Sequence, residues 1–312
     1  MNDSVSADAS YYVIFNERSG TADALGLTAE GLQAMFEQAG LTANVDARSD
    51  VSLDERISDA VASGAGIIVA AGGDGTITAL AASLANTDKS LAILPLGTVN
   101  ALAKDLSIPL DIEQAVSSLA SGQVHRIDVG EVNGRVFLHK VVVGVIPSVA
   151  AGREFIRGRR DLTAKLGFLR YFARRLARTR RMAVVIKTPG GETRIERVQA
   201  MAVASNSYDE GVGQFFSRSS LDGGSLTVYT LRHLNLGDVL RLTAEMLLGK
   251  WQQDEALSIE RVEAVTIDTR KTLLKVMFDG EVETLHTPLE FSIRKKALSI
   301  VVQGADTLHE VA

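Results

Sequence analysis

The period of the apolar positions changes near residue 125, and the two halves predict different architectures. In the first half, short apolar runs alternate with amphipathic stretches. Tyr11–Phe15, Leu41–Ala47, Ile67–Ala70 and Leu91–Leu94 read as strands, and the β-branched content of Ile67–Ala70 predicts full burial. Thr28 is a predicted N-cap, followed by Leu32, Met35, Phe36 and Ala39 on one helical face until Gly40 ends the helix. Ile57, Ala60 and Val61 mark a second helix. Thr76–Leu84, Ala101–Leu106 and Ile112–Leu119 mark three more, and Ser121-Gly122 breaks the pattern. Strand and helix in alternation predict a doubly wound parallel sheet with helices on both faces.

After Val124 the reading becomes strand-rich. Val124–Val129, Val136–Val143, Met182–Lys187, Arg194–Ala204, Ser225–Leu231, Leu257–Ile267, Leu273–Phe278, Leu289–Ile293 and Leu298–Val302 are the expected strands. Pro189-Gly190-Gly191 and Asp222-Gly223-Gly224 are turns between them. Helical spacing interrupts twice, over Leu162–Arg180 and Leu236–Leu248. The fold class expected is therefore α/β plus β: a doubly wound parallel-sheet domain over 1–125, to which the resemblance described below assigns nucleotide binding, and a β-sandwich-like domain over 126–312. The last segment is left free to return to the first domain.

Three loops of the first half carry the candidate chemistry, because ligands on such sheets lie outside the carboxyl ends of the strands. They are Asn16–Gly20, Gly72–Thr76 and Gly97–Asn100. In I-I-V-A-A-G-G-D-G-T, Gly72, Gly73 and Gly75 let the backbone turn sharply between strand and helix. That arrangement aims backbone N–H groups and a helix N-terminus at an anion. Asp74 in the middle of the turn would repel phosphates unless a metal ion bridges them. Neither G-x-x-x-x-G-K-[ST] nor G-x-G-x-x-G after a strand is present.

Charge adds a second theme. The formal net charge of −5 argues against nucleic acid as a partner. Between Arg153 and Arg181, however, eleven Lys/Arg face two Asp/Glu, so this segment carries +9 and the remainder −14. Leu162, Leu166, Leu169 and Leu176 recur at helical spacing beside Arg170, Arg174 and Arg178, the pattern of a helix lying on anionic lipid; the plainer alternative is a solvated basic helix. No apolar run reaches the ~18–20 residues of a spanning helix, and the polar start M-N-D-S-V-S shows no signal peptide. The absence of cysteine excludes disulfides and thiolate metal sites. A cytoplasmic protein in peripheral contact with membrane is expected.

In the second half, Phe278-Asp279-Gly280-Glu281 follows a strand, and its carboxylates suit a general base or a Mg²⁺ ligand. Alone, D-G-E is more often a hairpin turn. Asp128 at a strand end can join an acidic cluster with Asp74, or be an ordinary strand-end residue. Thr98 and Asn100 can bond phosphate or ribose, or simply cap a helix. No metal-ligand spacing links the five histidines.

Gly72–Thr76 (G-G-D-G-T), Pro95–Asn100 (P-L-G-T-V-N) and Asp279–Glu281 (D-G-E) together resemble the signature of the diacylglycerol kinase catalytic-domain family, which includes bacterial soluble lipid kinases and sphingosine kinases. Asn16–Gly20 is similar to its N-P-x-S-G, and Asn206–Leu226 to its N-x-x-x-x-G-G-G…D-G-x-L region. The resemblance implies ATP in a cleft between two domains and transfer of its γ-phosphate to a lipid hydroxyl. It further implies that Asn16, Ser19, Gly20, Gly72, Gly73, Asp74, Gly75, Thr76, Thr98 and Asn100 hold ATP, that Glu281 accepts the proton with Asp279 and Asp74 in the catalytic group, and that Asp74 and Asp128 attend Mg²⁺. A homodimer is compatible with it. Four departures stand out: Glu17 for the proline of N-P-x-S-G, Ala101 where an acid usually follows the asparagine, an eroded Val143–Pro147, and Gly223 where an aspartate usually binds a structural Mg²⁺. Two other readings follow: a degenerate homologue that binds without transfer, and an NAD kinase-like enzyme. The second shares G-G-D-G-T but gives no reason for P-L-G-T-V-N or for a basic membrane helix.

Overall fold

The computed structural model describes residues 3–5, 9–144, 181–191, 193–211, 217–232 and 236–303. The expected helix Leu162–Arg180, and all of the basic segment except Arg181, lie outside the described residues, as do Val145, Ile146 and Pro147 of the eroded stretch. The chain divides into two compact units, one comprising 1–129 and 295–312, the other 130–294.

The first unit is α/β. A two-residue strand β1 (Asp3–Ser4) is followed by β2 (Ser10–Phe15), α1 (Gly20–Leu25), α2 (Ala29–Gln38), β3 (Thr42–Asp46), α3 (Leu53–Ala62), β4 (Ile67–Gly72), α4 (Asp74–Leu84), β5 (Ser90–Pro95), α5 (Ala101–Asp105) and α6 (Ile112–Leu119). Thr28 caps α2 as expected, its hydroxyl accepting from Gly31 N–H at 3.1 Å; Ser52 and Asp111 do the same for α3 and α6. Every residue of β4 and β5 is buried, which requires cover on both faces. The contacts α2 with α6 and α3 with α4 supply two such layers.

The strands are parallel in the order β3-β2-β4-β5, and the end of the chain's last strand lies parallel to β5 beyond it. From β2 the chain steps outward to β3, then returns to lay β4 on the other side of β2. The order therefore reverses between β2 and β4, and the loops leaving those two strands diverge. In open α/β sheets such a switch point is where a crevice opens at the carboxyl ends.

Strand β6 (Gly122–Val132) leads into the second unit, which holds β7 (Arg135–Phe137), β8 (Lys140–Gly144), β9 (Met182–Lys187), β10 (Arg194–Val198), β11 (Ala200–Ser205), β12 (Leu226–Leu231), α7 (Leu236–Leu248), β13 (Leu257–Val262), β14 (Ala264–Thr269), β15 (Leu273–Phe278), β16 (Glu281–His286) and the start of β17 (Leu289–Gln303). One antiparallel sheet runs β13-β12-β11-β8-β15-β16. The other runs β10-β9-β14-β17. Their inner faces share a core that includes Val143, Val203, Val228 and Val276 from the first sheet and Ile186, Ile267 and Phe291 from the second. Phe137 packs edge-on against Phe278 and Phe291, with ring centroids 6.2 and 6.1 Å away. The unit is a β-sandwich.

The structure corrects several expected strand limits. Arg194–Ala204 is two strands parted at Gln199, and Leu257–Ile267 is two parted at Glu263. In each case the chain changes sheets at the break. Val136–Val143 is likewise interrupted, between β7 and β8. Conversely, Leu289–Ile293 and Leu298–Val302 belong to one 15-residue strand, which passes Lys296 at φ +50°. The helix expected from Thr76 begins at Asp74, because Gly73 takes the N-cap position.

Candidate active site

The three loops singled out in the sequence are stitched together within the first unit. Asn16 N–H donates to Ala71 O (2.9 Å), Leu96 N–H to Gly72 O (3.1 Å) and Thr21 N–H to Leu96 O (3.2 Å). Thr21 Oγ1 donates to Gly97 O at 3.1 Å. The glycines permit this approach. A Cβ on Gly97 would lie 2.7 Å from Gly73 Cα and 2.7 Å from Asn100 Oδ1. A Cβ on Gly72 would lie 2.8 Å from Thr76 Oγ1, and one on Gly20 would stand 3.7 Å from Thr98 Oγ1. Asn16, Ser19, Gly20, Gly72, Gly73, Asp74, Gly75, Thr76, Thr98 and Asn100 thus share one loop cluster at the carboxyl edge of the sheet.

Within that cluster the polar residues divide by task. Asn100, buried and at φ +52°, folds its amide back on its own loop: Oδ1 accepts from Gly97 N–H (2.8 Å) and Nδ2 donates to Gly97 O (2.9 Å). Asp74 accepts Asn100 N–H on Oδ2 (3.1 Å) and Ala101 N–H on Oδ1 (2.8 Å), tying the glycine turn after β4 to the start of α5. This is N-terminal capping supplied from a distant loop. Thr98 is exposed. The Ser19 hydroxyl is buried and has no hydrogen-bond partner, and the N-terminus of α4 has no side-chain cap. An unspent hydroxyl and an uncapped eleven-residue helix within one loop cluster make a setting for an anionic group.

A pocket of about 210 Å³ opens at the switch point. Asn16 and Arg18 line it from the loop after β2, Arg48 and Ser49 from the loop after β3, with Arg56 and Thr76. The charged wall was not anticipated from the sequence. Arg56 is buried and donates to the carbonyls of Phe15 (2.9 Å) and Asp46, the last residues of β2 and β3. Asp46 receives the Arg48 Nη2 (2.8 Å), Arg48 Nε (3.1 Å) and Tyr12 hydroxyl (3.2 Å) hydrogen bonds, and Arg56 Nε stands 3.2 Å away. Burial alone would raise the Asp46 pKa. The Arg48 hydrogen bonds and the Arg56 and Arg48 charges outweigh it and hold the carboxyl at about 2.

Asp128 is 3% exposed and its Oδ1 accepts Lys296 N–H at 2.7 Å, bracing the irregular point in β17. Among the described residues no three His, Cys, Asp or Glu side chains cluster as a metal site. Asp74 nevertheless suits Mg²⁺: each of its oxygens takes a single amide and keeps a lone pair, and this ion is usually held by one or two carboxylates together with substrate phosphates. The turn around Gly223 lacks the carboxylate that the resemblance leads one to expect there. Asn206 Oδ1 would lie 3.0 Å from a Cβ there, both of its amide atoms lack partners, and Gly223 brings no carboxylate.

In the second unit, Asp279-Gly280 is a two-residue hairpin turn between β15 and β16, with φ +45° and +102°. The Asp279 carboxylate turns inward, accepting from Leu138 N–H (2.7 Å), His139 N–H (2.9 Å) and Lys140 N–H (2.9 Å). Burial pushes its pKa above the ordinary value, against the pull of those three amides and of Arg218. Asp279 is thus occupied in anchoring the hairpin, and the exposed carboxylate of the D-G-E motif is Glu281. Arg135 stacks over Phe278 at 4.6 Å and pairs with Glu283 on the facing strand.

The fold and loop cluster define a two-unit protein: an α/β unit with an anion-ready loop edge, followed by a β-sandwich. The profile of the diacylglycerol kinase catalytic domain matches residues 10–132, and that of the YegS C-terminal NAD kinase beta sandwich-like domain matches residues 141–302. The chain belongs to the diacylglycerol kinase catalytic-domain family, in its YegS-type form. It is 28% identical over 280 residues to a diacylglycerol kinase of Bacillus subtilis, covering 86% of this chain and 88% of that one. It is 39% identical over 124 residues to a "Probable lipid kinase YegS-like" of Pseudomonas syringae pv. syringae, covering 39% of each. A crystal structure of a diacylglycerol kinase from Bacillus anthracis superposes with a TM-score of 0.68 at 17% identity, covering 96% of this chain and 98% of that one, a likeness of fold.

Proposed function

We propose that this protein transfers the γ-phosphate of ATP to the hydroxyl of a lipid of the diacylglycerol class. The observation that supports it most is the loop cluster itself: glycine-permitted backbone contact between the loops after β4 and β5, in a cluster that also holds a buried, unspent Ser19 hydroxyl and an uncapped α4. On this reading the amides at the start of α4, with Ser19 and Thr98, hold phosphate oxygens. The pocket at Asn16, Arg48 and Thr76 receives the remainder of the nucleotide. Mg²⁺ held by those phosphates and by Asp74 would neutralise charge on the transferred group, and Asp128 would add to the local negative field. Glu281 accepts the lipid hydroxyl proton as the new O–P bond forms and the bond to the leaving ADP breaks.

The test is transfer of radiolabelled γ-phosphate to a panel of lipid alcohols, with NAD as a competing acceptor. Labelled phospholipid is the expected product. Label on NAD would replace the lipid reading. Nucleotide binding without any transfer would favour the degenerate-homologue reading, to which the alanine at position 101 gives some weight.

A further inference from the structure

Arg218 is 2% exposed and among the largest fully buried side chains of the protein. Its Nη1 donates to Leu138 O (2.7 Å) and Ser205 O (2.9 Å), and its Nη2 meets His139 Nδ1 at 2.9 Å. A guanidinium can only donate, so Nδ1 must be the acceptor and the imidazole is neutral with its proton on Nε2. Burial, then the charges of Arg218 and Lys140, hold the His139 pKa well below the usual value, in agreement with that state. These three acceptors are uncharged. An apolar side chain there would leave all three without a donor, so Arg218 supplies a rigid fork of donors, and its charge also favours the nearby Asp279 carboxylate.

The segment that Arg218 grips is the one that Asp279 also grips. Leu138 gives its carbonyl to Arg218 and its N–H to Asp279, and His139 gives its ring to Arg218 and its N–H to Asp279. Asp279 opens the two-residue turn whose next strand begins at Glu281. We propose that Arg218 is a positioning residue: through Leu138, His139 and Asp279 it fixes the backbone that carries Glu281. The inference rests on the reading of Glu281 as the proton acceptor.

The experiment is a double-mutant cycle on γ-phosphate transfer to diacylglycerol, using the full chain with Arg218→Met, Glu281→Ala and the pair. If Arg218 acts by placing Glu281, Arg218→Met lowers kcat roughly 10–100-fold with the KM for ATP changed less than about twofold, and costs under about threefold once Glu281 is alanine. Losses that multiply in the pair would overturn the inference, as would an unchanged kcat in Arg218→Met. Should Arg218→Met fail to fold by thermal melting, Arg218→Lys enters the same cycle. It keeps the charge but not the fork, and an intermediate kcat with the same non-additivity is expected. A wild-type protein that transfers nothing would sink the kinase reading itself, an outcome distinct from an active wild type indifferent to position 218.

Discussion

Asp46 joins the ends of β2 and β3 through Arg56, and its charge is what makes that buried guanidinium tolerable. Its folded pKa of about 2 lies below the ordinary 3.8, so its contribution is complete above about pH 4 and is lost as pH falls through 2. That shift is worth on the order of 2 kcal/mol at neutral pH and about half as much at pH 3. Denaturant unfolding of wild type and Asp46→Asn should show a gap that is constant from pH 7 to pH 4.5 and shrinks towards pH 3. A gap that stayed flat to pH 3 would remove the ionised carboxylate as its source. At Glu281 the expectation concerns turnover. Glu281→Ala should lower kcat by roughly 10²–10⁴-fold while calorimetric ATP binding is preserved, because the residue is exposed on a hairpin of the second unit. Unchanged turnover would end its assignment as base. That Asp74, Asn100 and the glycines gather in one loop cluster was legible from glycine-rich turns at strand ends, but that Asp74 caps α5 and the Asn100 amide folds back on its own loop was not. Nor were Arg48, Arg56 and Arg218 legible. In a sequence each reads as one more solvated cation, and only the fold turns its guanidinium onto backbone carbonyls or a buried acid.

Among elements, β4, β5 and the loops that leave them carry the proposed site, and Gly97 is their tightest point. A methyl group at 97 meets Gly73 Cα and Asn100 Oδ1, each at 2.7 Å, so two loops must part to admit it. Overpacking of that kind costs about 1–3 kcal/mol. Gly97→Ala should therefore lower the melting temperature and also abolish most of the further stabilisation by saturating ATP. Gly66→Ala, whose methyl would meet nothing within 4 Å, is the control and should do neither. Equal ATP-induced shifts in both variants would show that the contact at Gly97 has no bearing on nucleotide. Strands β4 and β5 were readable because fully buried strands give unbroken apolar runs between turn residues. The sandwich was readable in kind but not in detail. At Gln199 and Glu263 the chain changes sheets with neither glycine nor proline, so one apolar run covers two strands. In β17 the polar pair Lys295-Lys296 resembles a turn, yet the strand continues because Asp128 receives the Lys296 amide.

Across the whole molecule the charge is unevenly placed: −5 in total, with +9 concentrated in Arg153–Arg181 and −14 elsewhere. Among the described residues no helix is long and apolar enough to cross a membrane, and the lipid-kinase reading proposed above asks for a means of meeting a bilayer. Charge segregation offers one. Near an anionic surface each Lys or Arg is worth about 1 kcal/mol, while the acidic remainder is repelled, so the molecule should meet the bilayer by one segment. The attraction decays over a Debye length of about 10 Å at 0.1 M salt and about 3 Å at 1 M. Binding to vesicles containing phosphatidylserine should therefore be strong at low ionic strength, weaken steeply with added salt, and be nearly absent on neutral vesicles. Replacing Arg170, Arg174 and Arg178 with glutamine should remove most of the low-salt binding while leaving transfer to a short-chain, dispersed lipid unchanged. Vesicle sedimentation with a parallel assay on dispersed substrate separates the two effects. Equal sedimentation with neutral and anionic vesicles would mean that the basic segment is an ordinary solvated surface, and that any lipid substrate is reached by some route other than charge.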